Sequence, residues 1–294
     1  MNKLDEFNGH RGIFTFRIDL DYFHPKHVDR ALEAAEKHGI KMSWFVNMET
    51  GKFHKDELRR IGESQDVQNH GFFHQTFEES EKNLENILRA DRYLKEMGFG
   101  CSGFAAPFGY WNKSLGIALE KSGYEYSSEF REGREIFPFY PELGKAGELQ
   151  AGTEAKKGTV LQLPIHPVCL GSLLESGYKP EEAIDYFERV IDLFYEKQIP
   201  IFLYGHPTGR LGAYPEVLDR VFEKVKSLED IWFTNLTEYA GFWKKKGFGE
   251  RKVDWQEHGI FVERKGSLSR KAKSLYRGQI LRVDKKKIDR RLHK

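Results

Sequence analysis

Short β-rich runs alternate with amphipathic helical patterns along the first 246 residues, and this alternation constrains the fold more than any other feature. The run from Gly12 to Tyr22 is typical of a strand, and His27 to His38 of an amphipathic helix that ends at Gly39. A strand followed by a helix, repeated along the chain, indicates a parallel sheet with helices packed outside it. At least six such units in about 245 residues favour a closed barrel over a doubly wound sheet. Further strands are predicted at 41–47, 66–69, 103–106, 159–163, 199–204 and 230–234, and further helices at 55–62, 79–97, 114–122, 180–197 and 217–227.

Basic residues are concentrated at the end of the chain. Residues 263–294 contain thirteen Lys and Arg against three acids, although the whole chain carries a formal charge of only +2. We therefore predict a barrel over residues 1–246 and a basic C-terminal extension over 247–294, with strands in GIFVER and GQILRV. The extension could attract an anionic glycan, a lipid-linked substrate or a membrane surface, or it could simply be solvated. The near-neutral total gives no case for a nucleic-acid partner.

Cysteine content and hydropathy bear on the compartment. Cys101 and Cys169 are too few for a disulfide framework and fit free thiols in a reducing compartment. The longest apolar stretches, such as Ile199 to Tyr204, are far too short to span a membrane, and the polar N-terminus lacks the apolar core of a signal peptide. These features predict a cytoplasmic protein with no membrane span, and they leave its oligomeric state open.

Polar residues that suit hydrolytic chemistry follow several predicted strands. Asp19 and Asp21 are two apart on one strand, so both carboxylates face the same side. His70 and His74 are four apart, which would put both rings on one side of a helical turn, able to share a metal. His206 follows a later strand. In a barrel all these positions converge on the C-terminal rim.

Two histidines and one carboxylate, with a fourth position for water, form the ligand set of a catalytic zinc-like site. The second carboxylate could then be a general base, and His206 an acid for the leaving group. A metalloprotease motif is disfavoured because Gly71 stands where that motif has Glu. Each feature also has a simpler interpretation, in which the histidine pair lies on a surface helix, the aspartates end a strand and His206 belongs to a turn.

Four segments, taken together, resemble motifs of the polysaccharide deacetylases of carbohydrate esterase family 4, the NodB-homology fold. FTFRIDLDY is similar to the first motif, QNHGFFHQ to the second, AAPFGYWN to the third and LYGHP to the fifth. The resemblance extends over roughly residues 10–246. It implies a distorted (β/α)7 barrel and a metal-dependent deacetylase that acts on carbon–nitrogen bonds other than peptide bonds.

The resemblance also implies roles for single residues. Asp19 would be the general base and His206 the general acid, while the backbone N–H of Phe108 would help to hold the oxyanion. The metal ligands would be Asp21, His70 and His74, and the metal a divalent ion, with zinc expected first and other ions left open.

The third motif departs from the family pattern, because Ala105 stands where the family has an arginine that orients the base. The fourth-motif region reads YSSEFREG and lacks the aspartate that often holds this arginine. Arg17 shares a strand face with the two aspartates and could supply the guanidinium, or Arg131 or Arg134 could supply it from the loop. The alternative is that Arg17 faces outward and pairs with an acid on a helix.

Several residues near these motifs are candidates for substrate contacts. Tyr110 and Trp111 could stack on a sugar ring or pack as part of the core or a lid. His166 follows a strand and could face the site or lie at the rim as a structural residue. The complete set of candidates for substrate binding is Pro107, Tyr110, Trp111, Tyr204 and His166.

Three functions are compatible with these residues. The first is deacetylation of an N-acetylated carbohydrate, less favourably an O-acetylated one, as a sugar, an oligosaccharide or a lipid- or nucleotide-linked precursor. The second is hydrolysis of a non-peptide amide bond in a small molecule on the same fold. The third is a catalytically silent relative that binds glycans, against which the intact set of aspartates and histidines argues.

Overall fold

The structure is a computed structural model that describes residues 3–129, 137–143, 156–166, 168–248, 273–276 and 279–282. The expected α/β architecture is confirmed, since one curled, parallel sheet is wrapped by helices. The strands are β1 (Gly12–Leu20), β2 (Ser43–Val46), β3 (Asp66–Asn69), β4 (Gly103–Phe104), β5 (Tyr126–Ser127), β6 (Glu142–Leu143), β7 (Lys156–Lys157), β8 (Leu161–Gln162), β9 (Ile201–Gly205), β10 (Ile231–Phe233), β11 (Lys273–Tyr276) and β12 (Gln279–Arg282).

Helices follow most strands of the main sheet, which is the pattern that the sequence predicts. They are α1 (Pro25–His38), α2 (Met48–Gly51), α3 (Lys55–Ser64), α4 (Ser80–Glu96), α5 (Lys113–Ser122), α6 (Leu170–Glu175), α7 (Pro180–Lys197), α8 (Pro215–Lys226) and α9 (Leu236–Lys246). Short 3₁₀ turns lie at Lys3–Phe7 and Pro107–Gly109, and a π turn at Pro207–Leu211. Among the described residues, no helix has both the length and the apolar character needed to cross a membrane.

The sheet is ordered β9-β1-β2-β3-β4-β5-β8, with every neighbouring pair parallel, and β10 lies beside the start of β1. Beyond β8, the backbone N–H of His166 donates to the Phe202 carbonyl of β9 at 2.8 Å. This hydrogen bond joins the two ends of the strand order, so that seven strands form the distorted (β/α)7 barrel that the motifs imply.

Side chains of β1 alternate between the two faces of the barrel wall. Phe14, Phe16 and Ile18 pack into the apolar layer beneath the helices, and all nine residues of the strand are buried. Arg17 and Asp19 alternate with them and therefore face the interior. The interior of the barrel thus contains charged groups as well as apolar ones.

The sequence located most of the longer elements within a few residues, but it missed the helices α2, α6 and α9 and the short strands β5, β6, β7 and β11. The division at residue 247 stays a prediction; α9 ends at Lys246 with Gly247 in a left-handed conformation. GQILRV contains β12, which pairs with β11 in an antiparallel hairpin, while GIFVER lies outside the described residues.

Close packing inside the barrel predicts the effect of adding one methyl group. A Cβ on Gly103 would overlap the Tyr126 ring on the neighbouring strand, whereas a Cβ on Gly100 would have no heavy atom within 4 Å. Gly103→Ala should therefore lower the free energy of unfolding by about 1–3 kcal/mol, as overpacked cores do. Urea denaturation followed by circular dichroism measures this change. Gly100→Ala is the matched control, and equal stability of the two variants would contradict the packing argument.

Candidate active site

The polar residues singled out by the sequence meet at one rim of the barrel. Asp21 follows β1, His70 follows β3, Pro107 follows β4 and His206 follows β9. Because these strands are parallel, their carboxyl ends lie at the same rim. The loops after them therefore build one site from segments that are far apart in the sequence.

Three of these residues could hold a metal ion. Asp21 Oδ1 lies 3.1 Å from His70 Nε2 and 3.2 Å from His74 Nε2, and the ligand atoms of all three lie within 4.8 Å of one another. Among the described residues, the buried Nε2 of His74 has no hydrogen-bond partner despite this short distance. A nitrogen in this state could donate its lone pair to a cation that Asp21 and His70 also bind.

The surroundings of these ligands favour the forms that bind metals. His70 donates from Nδ1 to the Ala105 carbonyl at 2.7 Å, which leaves the Nε2 lone pair free to face Asp21. Burial acts to raise the pKa of Asp21, but the neighbouring imidazoles of His206, His70 and His74 lower it well below its usual value. Asp21 is therefore ionised at neutral pH.

His70 and His74 do not lie on a helical turn, so that part of the sequence prediction is wrong. Residues 70–77 form an irregular loop, and Gly71 has a φ of +80° that interrupts any helix. The loop nevertheless brings the two rings to a centroid distance of 5.2 Å. The spacing thus predicted the proximity of the rings, although it gave the wrong backbone.

Asp19 is paired with Arg17 inside the barrel. Nε and Nη2 of Arg17 donate to Oδ1 and Oδ2 of Asp19, each at 2.6 Å, and both side chains are almost completely buried. Burial acts to raise the pKa of Asp19, but Arg17 and His70 lower it below its usual value. Of the two orientations open to Arg17, the structure has the inward one.

Arg17 has further partners on three other strands or loops. Nη1 donates to the Ser128 carbonyl, and the guanidinium lies between the rings of Phe45 and Tyr204, at 5.5 and 5.3 Å from their centroids. Arg131 and Arg134, the other candidates for this position, lie outside the described residues. A guanidinium thus lies beside Asp19 even though Ala105 replaces the third-motif arginine.

Glu129, in the fourth-motif region, is a buried acid that the sequence did not single out. Its Oε1 accepts hydrogen bonds from the Ala106 N–H at 2.8 Å and from the Ser127 hydroxyl. Burial raises the pKa of Glu129 to about 7, with Ser127, Arg17 and Ala106 acting against this rise. Glu129 fixes the backbone just before Pro107 and so helps to position the third motif.

His206 faces the aspartates across the site. Its Nε2 lies 3.4 Å from Asp21 Oδ2 and 3.9 Å from Asp19 Oδ2. Its Nδ1 lies 2.7 Å from Nη1 of Arg210, whose Nε donates to Glu175 Oε1 at 2.5 Å. A guanidinium can only donate, so Nδ1 accepts and Nε2 carries the proton of the neutral ring.

Opposing charges act on His206. Burial lowers the pKa of the ring, and so does the charge of Arg210. Cys169, whose sulfur lies 3.3 Å from Nδ1, and Asp21 act in the other direction and raise the pKa to about 9. A doubly protonated ring would set its Nδ1–H against an N–H of Arg210 at 2.7 Å. A cation bound at Asp21 would also weaken the effect of that carboxylate on the pKa of His206. We therefore assign the neutral form to the His206 ring.

Candidates for the oxyanion and substrate contacts lie in the turn after β4. Phe108 has a φ of +57°, which is rare for a residue with a side chain, and 71% of its surface is exposed. Its ring contacts His74 at a centroid distance of 4.5 Å. Pro107 is buried, and the half-exposed Tyr110 donates its hydroxyl hydrogen to Glu78 at 3.2 Å. Trp111 is partly buried against the cluster of apolar residues around α5.

Two predicted substrate contacts, Tyr204 and His166, are buried. Tyr204 is buried, where it packs on Arg17 and on the ring of His206. His166 is buried against α7, where its Nε2 lies 3.0 Å from the Tyr186 hydroxyl, and burial lowers its pKa to about 3. The structure does not bring His166 to the site, because successive residues of an extended segment face opposite sides.

Sequence reasoning missed the residues that surround His206. Cys169 precedes α6 and Glu175 ends it, and this helix was not predicted. Arg210 is four residues after His206 within the π turn, where it packs over Gly171, and a Cβ on Gly171 would lie 2.7 Å from Arg210 Cδ. The sequence LYGHPTGR contains this arginine, but a four-residue spacing across an irregular turn gives no usable signal.

Comparison with known proteins confirms the resemblance to the polysaccharide deacetylases. The family model described as polysaccharide deacetylase matches residues 13–127, which include the first three motifs. A sequence comparison with curated proteins gives no match.

Solved structures share the fold at low sequence identity. A protein from Mycobacterium smegmatis, provisionally named a polysaccharide deacetylase, is 17% identical with a TM-score of 0.71, over 83% of this chain and 94% of its own. The allantoinase Puue is 16% identical with a TM-score of 0.65, over 80% and 91%. A CE4 family pseudoenzyme from Bacillus anthracis is 15% identical with a TM-score of 0.54, over 78% and 65%. Identities this low establish the fold alone.

The ligand set predicts a loss of metal on removal of both imidazoles. The double variant His70→Ala/His74→Ala leaves only the Asp21 carboxylate, which is too few ligands to retain a divalent ion through gel filtration. Elemental analysis should show metal in the wild-type protein and none in the double variant. His38→Ala, which removes a histidine paired with Asp219 away from the site, should keep the full content. Full occupancy in the double variant would rule out these ligands.

The buried ion pair predicts a large effect of Arg17 on stability. Arg17→Met leaves the Asp19 carboxylate buried without its counter-charge, so the free energy of unfolding at pH 7 should fall by about 3–5 kcal/mol. The lowered pKa of Asp19 stabilises the fold above the unfolded value of about 4, and this contribution disappears as the pH falls through the folded value. The difference between wild type and variant should therefore narrow in acid.

Chemical denaturation at several pH values measures this difference. Arg220→Met is the control, because Arg220 is 55% exposed and pairs with Glu188 and Glu223 at the surface, where ion pairs contribute about 0–1 kcal/mol. Equal losses for the two variants would contradict the importance of the buried pair.

Proposed function

We propose that this protein is a metal-dependent hydrolase that removes the acetyl group from an N-acetylated carbohydrate. The observation that carries the proposal is the arrangement at the rim, where a compact set of three metal ligands lies beside an ionised carboxylate and an imidazole. The match of the polysaccharide deacetylase family model to residues 13–127 and the barrel fold support deacetylation as the reaction. The substrate class and the preference for zinc are part of the proposal.

Asp21, His70 and His74 would hold the metal, which when bound lowers the pKa of a water molecule and polarises the carbonyl of the acetyl group. Asp19 is the residue suited to remove the proton from that water. Arg17 keeps the Asp19 carboxylate ionised. It donates one hydrogen bond to each carboxylate oxygen from the inner side of the barrel, which fixes the plane of the carboxylate. An oriented, ionised carboxylate is ready to act as a general base.

His206 is suited to assist the departure of the amine. Its Nε2 faces the site and carries the proton when Arg210 donates to Nδ1, so the donor is directed at the reacting groups. The turn at Phe108 follows β4 at the same rim, and its backbone N–H is the candidate donor to the oxyanion. The exposed rings of Phe108 and Tyr110 offer surfaces for a sugar.

Hydrolysis of a non-peptide amide in a small molecule is a second candidate. The fold similarity to a protein named allantoinase supports it, because that name implies the hydrolysis of an amide. The same base, ligands and proton donor would serve both reactions. A catalytically silent relative is less well supported, because Asp19, Asp21, His70, His74 and His206 are all present and brought together at one rim.

A screen of purified, zinc-loaded protein separates these functions. N-acetylated sugars and oligosaccharides should release acetate and one free amine per acetate, whereas O-acetylated sugars should release less. Amine or ammonia release from small cyclic or linear amides, without acetate, would favour the second candidate. Absence of turnover on both panels with metal bound would favour the silent relative.

Asp19→Asn should keep the metal but lose most turnover. The amide preserves the shape of the side chain but cannot accept a proton, and general bases commonly contribute about 100-fold to 10,000-fold to the rate. Steady-state kinetics and elemental analysis on the same preparation measure both quantities. Asp219→Asn, far from the site in the pair with His38, should behave as wild type. Wild-type turnover by the Asp19 variant would exclude this residue as the base.

A further inference from the structure

The loop that carries His70 and His74 is fixed mainly by partners outside it. Near its start, the carbonyls of Gly71 and Phe72 accept hydrogen bonds from the backbone N–H groups of Met48 and Glu49, both at 2.9 Å. From residue 73 onward the loop pairs with no strand among the described residues. Its backbone polar groups on the side of α4 therefore require other partners.

Asn86 on α4 supplies these partners with its side chain, which is 3% exposed. Its Oδ1 accepts from the N–H groups of Phe72 at 3.1 Å and Phe73 at 2.7 Å. Its Nδ2 donates to the carbonyls of Phe73 and Gln75, both at 3.1 Å. Two donors and two acceptors exhaust the capacity of a carboxamide. The bonded residues lie on both sides of His74.

His70 is held by different contacts. Its backbone N–H donates to the Val46 carbonyl at 3.0 Å, and its ring donates to the Ala105 carbonyl. Among the described residues, Nε2 of His74 has no such hydrogen bond, so the position of this ring depends on its contact with the Phe108 ring and above all on the backbone that carries it. The four hydrogen bonds of Asn86 therefore act on one metal ligand much more than on the other.

We propose that Asn86 is a positioning residue of the metal site, which clamps the backbone on both sides of His74 and so holds this ligand ready for a divalent cation. This inference rests on the proposed metal-dependent function. Ligands that are held before the metal arrives lose less conformational freedom on binding, and loss of an outer partner typically weakens metal affinity by 10- to 100-fold.

Asn83 provides a matched control on the same helix. Its side chain is 1% exposed and makes the same kind of clamp, since Oδ1 accepts from the Phe77 N–H and Nδ2 donates to the Phe77 carbonyl, both at 2.8 Å. Phe77 lies three residues beyond His74. Asn83→Ala therefore removes a buried carboxamide that holds the loop but does not flank the ligand.

The experiment measures the affinity for Zn²⁺ by competition with a chromophoric chelator. Asn86→Ala and Asn86→Leu should each weaken binding by about 10- to 100-fold, and the leucine variant keeps the site filled should the alanine variant fold poorly. Asn83→Ala should bind Zn²⁺ within about 2-fold of wild type. Hydrogen exchange of the metal-free protein should become faster at residues 72–75 in the Asn86 variants alone.

A double-mutant cycle separates positioning from general damage. With His74→Ala already present, the Asn86 substitution should change the Zn²⁺ affinity by less than about 2-fold, because the ligand that it positions is gone. Wild-type affinity in both Asn86 variants, an equal loss in Asn83→Ala, or an undiminished loss in the His74→Ala background would each overturn the proposal.

The proposed function fails separately from this inference. Zn²⁺ binding with no effect of Asn86 would leave the function intact and refute the positioning role. The expected affinities without any acetate release would support the positioning role and refute the deacetylase. Absence of Zn²⁺ binding by the wild-type protein would refute both the metal-dependent function and the role of Asn86.

Discussion

A guanidinium that is completely buried inside a barrel must be neutralised, and Asp19 neutralises Arg17 through two hydrogen bonds. The Ser128 carbonyl and the faces of two aromatic rings add further contacts to the cation, so that each of its three nitrogens donates a hydrogen bond. This pair lies on β1, the strand that bonds to β2, β9 and β10. The strand β1 is therefore central both to the sheet and to the candidate site.

The inward positions of β1 and its end form a series from the interior to the rim. Arg17 is the deepest, Asp19 follows two residues later, and Asp21 lies just beyond the end of the strand. The pleat of a strand separates such residues by about 6.6 Å along its length. The backbone of β1 thus sets the spacing of Arg17, of Asp19, the proposed base, and of Asp21, a proposed metal ligand. Arg17 lowers the pKa of the Asp19 carboxyl, and Asp19 lies one step deeper in the barrel than Asp21.

Most of the fold could be predicted from the sequence because hydrophobic periodicity is a local property. Strong helices such as α4 and α7 were located within a residue or two from the spacing of their apolar side chains. The helix α6 has six residues, which is too short for periodicity to be distinguished from chance. His166 was placed near the site because it follows a strand, but its orientation depends on the pleat, which the sequence pattern left undetermined.

Much of the candidate site was also predicted, since a motif names the side chains that must converge even when their backbone is unknown. The helical turn assigned to His70 and His74 was wrong because the loop is determined by Gly71 and by asparagines from other elements, including Asn86. Likewise, Arg210 and Glu175 meet His206 only through tertiary packing of α6 on the π turn. Contacts of this kind leave no periodic trace in the sequence.

Because Ala105 stands where the third motif has an arginine, the orientation of Asp19, the proposed base, depends on Arg17 instead. A guanidinium at position 105, just after β4, would come to Asp19 from another strand, so the pair would be sensitive to any movement between β1 and β4. Arg17 lies two residues from Asp19 on the same strand, where the distance between them is fixed by backbone geometry. The orientation of the Asp19 carboxylate is then local to β1, whereas the positions of Asp21, His70 and His74 depend on the loops after β1 and β3. Ala105 can therefore stand after β4 without loss of a guanidinium beside Asp19.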